Sequence, residues 1–297
     1  MKKYFVPVLM LIAFAASAQQ NFDTVKITPI KVSEQIYMLK GSGGNIGLLT
    51  GSDGLVMIDD QYAQLSGKIA DAISAISPNA IRFLINTHIH GDHTGGNDNF
   101  SRHGVTIVAH DQARARMMTE QVNKRTNRTT PARDKTALPI VTFSDKLNFH
   151  LNDEEIELIP LDKGHTDGDV VIYFKKANVI HAGDSFVRYG YPSIDVSSGG
   201  GINGFVSSLD KILTIIDDQT KVIPGHGELA TKADVKMLRD QVADIRDQVS
   251  KALKKGKKVE ELAALGITDK YEEKLGRGFL TGKDFLTIIA STLSEPR

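Results

Sequence analysis

"AIRFLINTHIHGDHTGG", residues 80–96, decides the fold. Its first half is an apolar run that reads as a buried β-strand. The strand runs straight into His88, His90, Asp92 and His93, in a chain with only nine histidines. On extended backbone, residues i and i+2 point to the same side. His88 and His90 can therefore grip one metal ion. Asp92 and His93 are adjacent, so they point differently from each other and from the first pair. Thr94-Gly95-Gly96 lets the backbone turn tightly after them. A second ion beside the first suits that geometry, since binuclear sites hold their ions ~3.5–4 Å apart. A solvated His-rich loop is the bland alternative. The HxHxDH spacing at the end of a buried strand argues against it.

Three further positions have the same local setting, after a strand and next to glycine. They are His165 in "DKGHTDGD", Asp184 in "VIHAGDSF" and His226 in "VIPGHGEL". Each alone reads as a turn residue. Together with the first cluster they supply donors for two divalent ions. The chain has no cysteine, so any ion must be held by His, Asp or Glu. Nitrogen and oxygen donors favour zinc and also suit iron or manganese.

The segments around these motifs alternate between strand and helix. "EQIYMLKG", "NIGLLTG" and "GLVMIDD" read as short strands separated by Gly-rich turns. Leu65, Ile69, Ile73 and Ile76 recur at helical spacing until Pro78. "VTIVA" is another strand, with a helix from Asp111 to about Gln121. Residues 123–139 are polar, basic and unpatterned, and read as a long surface loop. "KLNFHL" with "EEIELIPL", and "DVVIYF" with "NVIHAGD", read as strand pairs. Residues 186–203 are a Gly- and Ser-rich loop, and a helix follows with Phe205, Leu209, Ile212 and Ile216 on one face.

Beyond residue 230 the chain reads as a helical extension. Thr231 and Asp234 make a capping-box start, and Gly256 stops the helix. Its apolar stripe, Val235 to Leu253, predicts packing on the chain's own core rather than a coiled-coil surface for a partner. We expect one α/β domain over 19–230 and a C-terminal helical extension over 231–297.

"MKKYFVPVLMLIAFAASAQQ" opens the chain with a charged start, an apolar run and an Ala-Ser-Ala cleavage site. This is the pattern of a secretory signal peptide over residues 1–18. It predicts a secreted or periplasmic protein with no stable membrane insertion after cleavage. The 36 basic and 36 acidic residues balance, so nothing suggests a nucleic-acid surface. The expected partner is a small-molecule substrate, and oligomeric state is not legible.

The five separated motifs, in this order over roughly residues 30–230, resemble the metallo-β-lactamase superfamily of binuclear hydrolases. The resemblance implies a four-layer αβ/βα sandwich of two mixed β-sheets flanked by helices, with two metals at one edge. It implies that His88, His90 and His165 hold one ion, that Asp92, His93 and His226 hold the other, and that Asp184 bridges them. Asp59-Asp60 resembles the family's supporting acidic pair. Many β-lactamases of the family carry Cys or Ser where this chain has Asp184. The aspartate is more similar to glyoxalase II-type thioesterases and lactonases.

The chemistry implied is attack by a metal-bridging hydroxide on a carbonyl of an ester, thioester, lactone or β-lactam amide. Water on zinc has its pKa lowered from ~15.7 to ~7, so no Ser or Cys nucleophile is needed. Asp92, inside the cluster, is the candidate to orient that water or carry its proton. Arg188 is a candidate for a substrate carboxylate, and Tyr189 and Tyr191 for the pocket wall. His181, three before Asp184 on a strand, points to the opposite side and reads as a core residue or one that supports the ligands, not as a ligand. A metal-storage protein is the non-enzymatic alternative.

Overall fold

The computed structural model describes residues 21–294, and the leader expected over 1–18 lies outside them. Four antiparallel strands come first: β1 (Thr28–Lys31), β2 (Ile36–Lys40), β3 (Ile46–Leu49) and β4 (Leu55–Ile58). Helix α1 (Ser66–Ser74) crosses over to β5 (Ile81–Ile85), which pairs parallel with β4. The short helices α2 (Gly91–Thr94) and α3 (Asn97–Ser101) lead to β6 (Thr106–His110). Helix α4 (Asp111–Met117) precedes a small hairpin, β7 (Gln121–Asn123) with β8 (Arg128–Thr130). Strand β9 (Val141–Phe143) completes a seven-stranded sheet in the order β1-β2-β3-β4-β5-β6-β9.

The second sheet has five strands in sequence order: β10 (Leu147–Leu151), β11 (Glu154–Pro160), β12 (Val170–Phe174), β13 (Val179–His181) and β14 (Lys221–Ile223). Its first four are antiparallel, and β14 lies parallel to β13 after the crossover helix α5 (Ile202–Ile215). Helices α6 (Lys232–Lys254), α7 (Glu272–Leu275) and α8 (Gly282–Ser294) follow.

Alternation along single strands fixes the layers. Successive side chains of a strand face opposite sides of its sheet. In β4, Val56 and Ile58 enter the core between the sheets, while Leu55 and Met57 face a second core under α1. In β12, Val170, Ile172 and Phe174 enter the same central core, while Val171 faces the helices on the far side. Strands apolar at every position are what a sheet covered on both faces requires. The result is the helix–sheet–sheet–helix sandwich that the resemblance implied. Ile69 and Ile73 of α1 are buried against the first sheet, each contributing roughly 1.5–3 kcal/mol.

The region beyond residue 230 is helical, as its periodicity predicts. Thr231 and Asp234 form the reciprocal cap of α6, and Gly256, at φ 81°, follows its end. Val235, Leu238, Val242, Ile245 and Val249 are buried in one cluster with Phe205 and Leu209 of α5 and Phe285 and Ile289 of α8. This burial removes the reading of α6 as a docking face.

Three segments differ from the sequence-based expectations. The stretch 123–139 is not a featureless loop: it holds the turn and second strand of the β7–β8 hairpin and a single 3₁₀ turn at Lys135–Ala137. Each hairpin strand is only three residues long and β8 is exposed throughout, so no apolar alternation marks them. Helix α4 ends at Met117, short of the expected Gln121. Strand β9 adds a parallel edge beside β6.

Candidate metal centre

Five loops build the site. They follow the C-terminal ends of β4, β5, β11, β13 and β14, which open at the same edge of the sandwich. They carry Asp59, the His88–His93 segment, His165, Asp184 and His226. The donor atoms of His88, His90 and His165 lie within 4.8 Å of one another, as do those of Asp92, His93 and His226. A third group of the same size, His88, His93 and Asp184, joins the two. The structure thus brings together all seven side chains singled out in the sequence.

The ring nitrogens show what the cluster is built to hold. His165 Nδ1 lies 2.7 Å from the Ser193 carbonyl oxygen and can only donate to it. His90 Nε2 lies 2.9 Å from Asp195 Oδ2, and His93 Nδ1 lies 2.7 Å from Asp59 Oδ2. Thr87 donates its hydroxyl proton to Asp59, at 2.7 Å, which leaves its oxygen to accept from His88 Nδ1 at 2.9 Å. Each neutral ring has one N–H. With that proton directed outward, the other nitrogen presents a lone pair to the site. His90 Nδ1 then faces His88 Nε2 at 3.1 Å and His165 Nε2 at 2.8 Å. Lone pairs this close repel unless a cation lies between them. Partners of this outer kind are what fix metal-binding histidines.

Asp184 meets the same test. Its Oδ1 is buried with no hydrogen-bond donor. That atom lies 3.2 Å from His93 Nε2 and 3.4 Å from His226 Nε2, while Oδ2 lies 3.6 Å from His165 Nε2. A buried carboxylate without a donor is costly, and a shared cation removes the cost. The backbone makes room for the ligands. A Cβ at Gly44 would overlap the His93 ring, and one at Gly225 would overlap Asp184 Oδ1. The donor set fits divalent ions.

Electrostatics treat the two triads differently except at His90, where burial opposes the charge but Asp195, Asp92 and Asp184 outweigh it and raise the ring. Burial lowers His88 well below the ordinary histidine value and, with the His90 charge, lowers His165 to about 4. Burial also opposes charge on His226, but Asp184 and Asp92 outweigh it and push His226 up to about 9. His93 rises well above its usual value, with Asp184, Asp59 and Asp92 outweighing burial. Asp92 runs the other way: burial raises it, and His93 and His226 outweigh that and hold its carboxyl below the usual range.

The three substrate-contact candidates part company. Tyr189 stays beside the site, its ring centre 5.4 Å from that of His226 in an edge-to-face arrangement and 5.2 Å from that of Phe279, tilted against it. Arg188 is turned away. Its guanidinium donates to the Leu229 carbonyl at 2.6 Å and pairs with Asp234 at 3.5 Å. Tyr191 is a core residue, stacked on Phe285 and bonded through its hydroxyl to Glu272 at 3.0 Å. A loop residue's distance in sequence from Asp184 does not set its direction, and Gly190, at φ 147°, bends the chain between the two tyrosines. His181 is buried and faces the Asn45 carbonyl at 3.0 Å, a core position.

Asp195 is the residue that sequence reasoning missed. It faces His90 while its Oδ1 accepts from the Ser197 and Ser198 amides. The only local trace is the Asp-x-Ser-Ser order, which marks an Asx turn. A cleft of ≈ 390 Å³ opens over His90, Asp92 and Asp195, walled by the β7–β8 hairpin and by Phe279.

The geometry defines a His/Asp centre of the kind that holds adjacent divalent ions at the mouth of an open cleft. Residues 39–227 match the model of the metallo-β-lactamase superfamily, and the chain belongs to that superfamily. The metallo-β-lactamase type 2 of Bacteroides fragilis is 24% identical over 239 residues, covering 77% of this chain and 90% of that protein. The acyl-coenzyme A thioesterase MBLAC2 of Homo sapiens is 26% identical over 221 residues, covering 66% and 76%. Among solved structures, a metallo-β-lactamase from Pontibacter korlensis superposes with a TM-score of 0.60 at 15% identity, over 72% of this chain and 99% of that one. The sec-alkylsulfatase Pisa1 from Pseudomonas sp. gives 0.68 at 17% identity, over 89% of this chain and 50% of its own. The larger coverage extends beyond residue 230. The chain is an enzyme of the hydrolase class, like its superfamily relatives.

Proposed function

We propose that the protein is an exported, zinc-dependent hydrolase of acyl bonds, taking an ester, thioester, lactone or β-lactam amide. The observation that carries this reading is Asp184, whose two oxygens face His93 and His226 on one side and His165 on the other. A carboxylate so placed suits two ions rather than one. His88 Nε2, His90 Nδ1 and His165 Nε2 would hold the first. Asp92, His93 Nε2 and His226 Nε2 would hold the second. Zinc in this setting supplies Lewis acidity and a nucleophile at neutral pH, and iron or manganese suits the same donors.

The chain's own residues do the rest. Thr87, Asp195, Ser193 and Asp59 hold the four imidazole tautomers. Asp92 is part-exposed at the cleft floor and stays ionised at neutral pH. It is therefore placed to orient a reacting water or accept its proton. Tyr189, whose hydroxyl burial keeps protonated, walls His226. Export rests on the leader pattern of residues 1–18.

Asp184 in place of Cys or Ser favours ester, thioester and lactone substrates, and the thioesterase relative supports that arm. The Bacteroides fragilis relative supports the β-lactam arm. The open cleft speaks against a storage protein, which needs no room for a substrate. The test is a turnover screen of zinc-loaded protein on chromogenic β-lactam, lactone, thioester and ester substrates, with a chelator control. Chelator-sensitive turnover of one class is the expected result. Chelator-insensitive activity, or none on any class, overturns the reading.

A further inference from the structure

The cleft wall opposite the metal centre is cationic. Arg116, Arg125, Arg128 and Arg133 all line it. Two of the four are committed to the fold. Arg116 makes two 2.6 Å bonds to the Asp167 carboxylate and anchors the base of the hairpin through Gln121. Arg133 is half-buried under α2, 3.4 Å from Thr94 Oγ1. Arg125, in the hairpin's turn, and Arg128, at the start of β8, are exposed, and their side chains make no hydrogen bond or ion pair among the described residues. The carboxylates nearby are engaged. Asp92 faces His226 and Asp195 faces His90. Asp284, whose carboxyl is held low first by its bonds to Thr281 and only then by the Arg125 charge, caps the start of α8. Two unpaired guanidinium groups over a cleft form a site for an anion, which a guanidinium binds with charge-assisted hydrogen bonds.

The same wall is apolar between its charges. Val122 of the hairpin is 45% exposed and Phe279 62%, two of the most exposed large apolar side chains among the described residues. Phe279 comes from the segment between α7 and α8 and leans on Tyr189, which in turn meets His226. An aromatic path thus runs from the cleft mouth to the metal centre. The hairpin is held over the cleft by the Lys124 amide, which donates to Ser197 Oγ at 2.9 Å.

We propose that the substrate carries an anionic group remote from the scissile bond, seated on Arg125 and Arg128, with an apolar segment between them and the metal centre packed against Phe279 and Val122. This rests on the acyl-hydrolase reading and narrows it. The arginines are specificity-determining residues and touch no reacting atom.

The test uses a matched pair of chromogenic esters of equal acyl length, 4-nitrophenyl hexanoate and the mono-4-nitrophenyl ester of adipate, on the zinc-loaded enzyme. The carboxylated ester should have a KM about fivefold to tenfold lower, an advantage that shrinks in about 1 M salt as screening grows. The double variant R125A/R128A should lose that advantage while keeping kcat on both esters and KM on the neutral one. Phe279→Ala should raise KM for both. Equal KM for the two esters, or a preference that survives the double variant, overturns the proposal. Turnover of neither ester counts against the hydrolase reading and not this one. Calorimetry with the corresponding anilides, hexananilide and adipate monoanilide, then decides. Tighter binding of the anionic anilide, lost in R125A/R128A, supports the anion site, and equal binding overturns it.

Discussion

Asp59 Oδ2 lies 2.7 Å from His93 Nδ1, and both side chains are completely buried. The same carboxylate accepts from the backbone amide and hydroxyl of Thr87. One aspartate therefore fixes the His93 ring directly and the His88 ring through a hydroxyl, one imidazole from each triad. Asp59 takes φ 61°, a region that Asp and Asn tolerate better than other side chains.

Asp59→Asn keeps that backbone conformation and removes the charge. Outer partners of metal-binding histidines are worth about 10–100-fold in metal affinity. We expect a loss of that order, measured by competition with a chromophoric chelator, and an unchanged far-UV circular dichroism spectrum. Unchanged metal affinity would show that Asp59 is only packing.

Asp92→Asn should spare the fold and cut turnover about 10²-fold or more, the usual contribution of a positioned proton acceptor. Its side chain is 25% exposed at the cleft floor, so the swap disturbs no core. Metal content measured alongside kcat separates the two roles. Loss of one ion would make Asp92 chiefly a ligand, and full turnover would remove both roles.

Acid should empty the two triads in order. An ion binds only the neutral imidazole, so protons compete below a ring's pKa. His226 is pushed up to about 9 and His93 lies well above its usual value, while His165 is lowered to about 4. The ion on Asp92, His93 and His226 should weaken as pH falls from 9, by up to about tenfold per unit for each ring that must deprotonate. The ion on His88, His90 and His165 should persist to lower pH, because only His90 of its three rings is raised while both rings of the other triad are. Metal content after dialysis across a pH series checks this, and simultaneous loss of both ions would contradict it. Chelation at neutral pH should lower Tm, because bound ions stabilise only the folded state.

What was legible in the sequence follows physical range. The seven clustered side chains sit in short motifs that each end a strand, so local pattern suffices to find them. The two sheets are legible because strands such as Leu55–Ile58 are apolar on both faces. The β7–β8 hairpin is not, since its three-residue strands pair through backbone groups that composition does not register. Asp195 and His90 are 105 positions apart, and no local rule predicts such a contact. Arg188 and Tyr191 fail for the converse reason: they are near Asp184 in sequence but turned to Asp234 and Phe285.

Asp195→Ala should act through His90 rather than on substrate. It frees His90 Nε2 and removes the acceptor for two serine amides of the 195–200 turn. Metal affinity of the first triad should drop about 10–100-fold, with kcat recovering at saturating zinc. Asp195→Asn retains an acceptor and should restore part of the affinity. An alanine variant that stays inactive when fully loaded with zinc would place Asp195 in the chemistry itself.

Ile245 of α6 lies in the core and is not one of the clustered donors. Ile245 is fully buried among α5, α6 and α8. Ile245→Ala leaves a cavity, and such truncations cost 2–5 kcal/mol, a large part of the ~5–15 kcal/mol that keeps a domain folded. Chemical denaturation should show that loss as a lower midpoint at an unchanged slope, with metal binding intact in the protein that stays folded. The same packing means that a chain ended at residue 230 would expose Phe205, Leu209 and Ile212 of α5. We expect it to be insoluble or unfolded, and a soluble, metal-binding product would show that α6 to α8 are a separable addition. Phe279 gives the distinction a functional edge. A fold that needs these helices for stability has already placed a residue between two of them on the cleft wall, where Phe279→Ala would alter KM without the midpoint shift of Ile245→Ala.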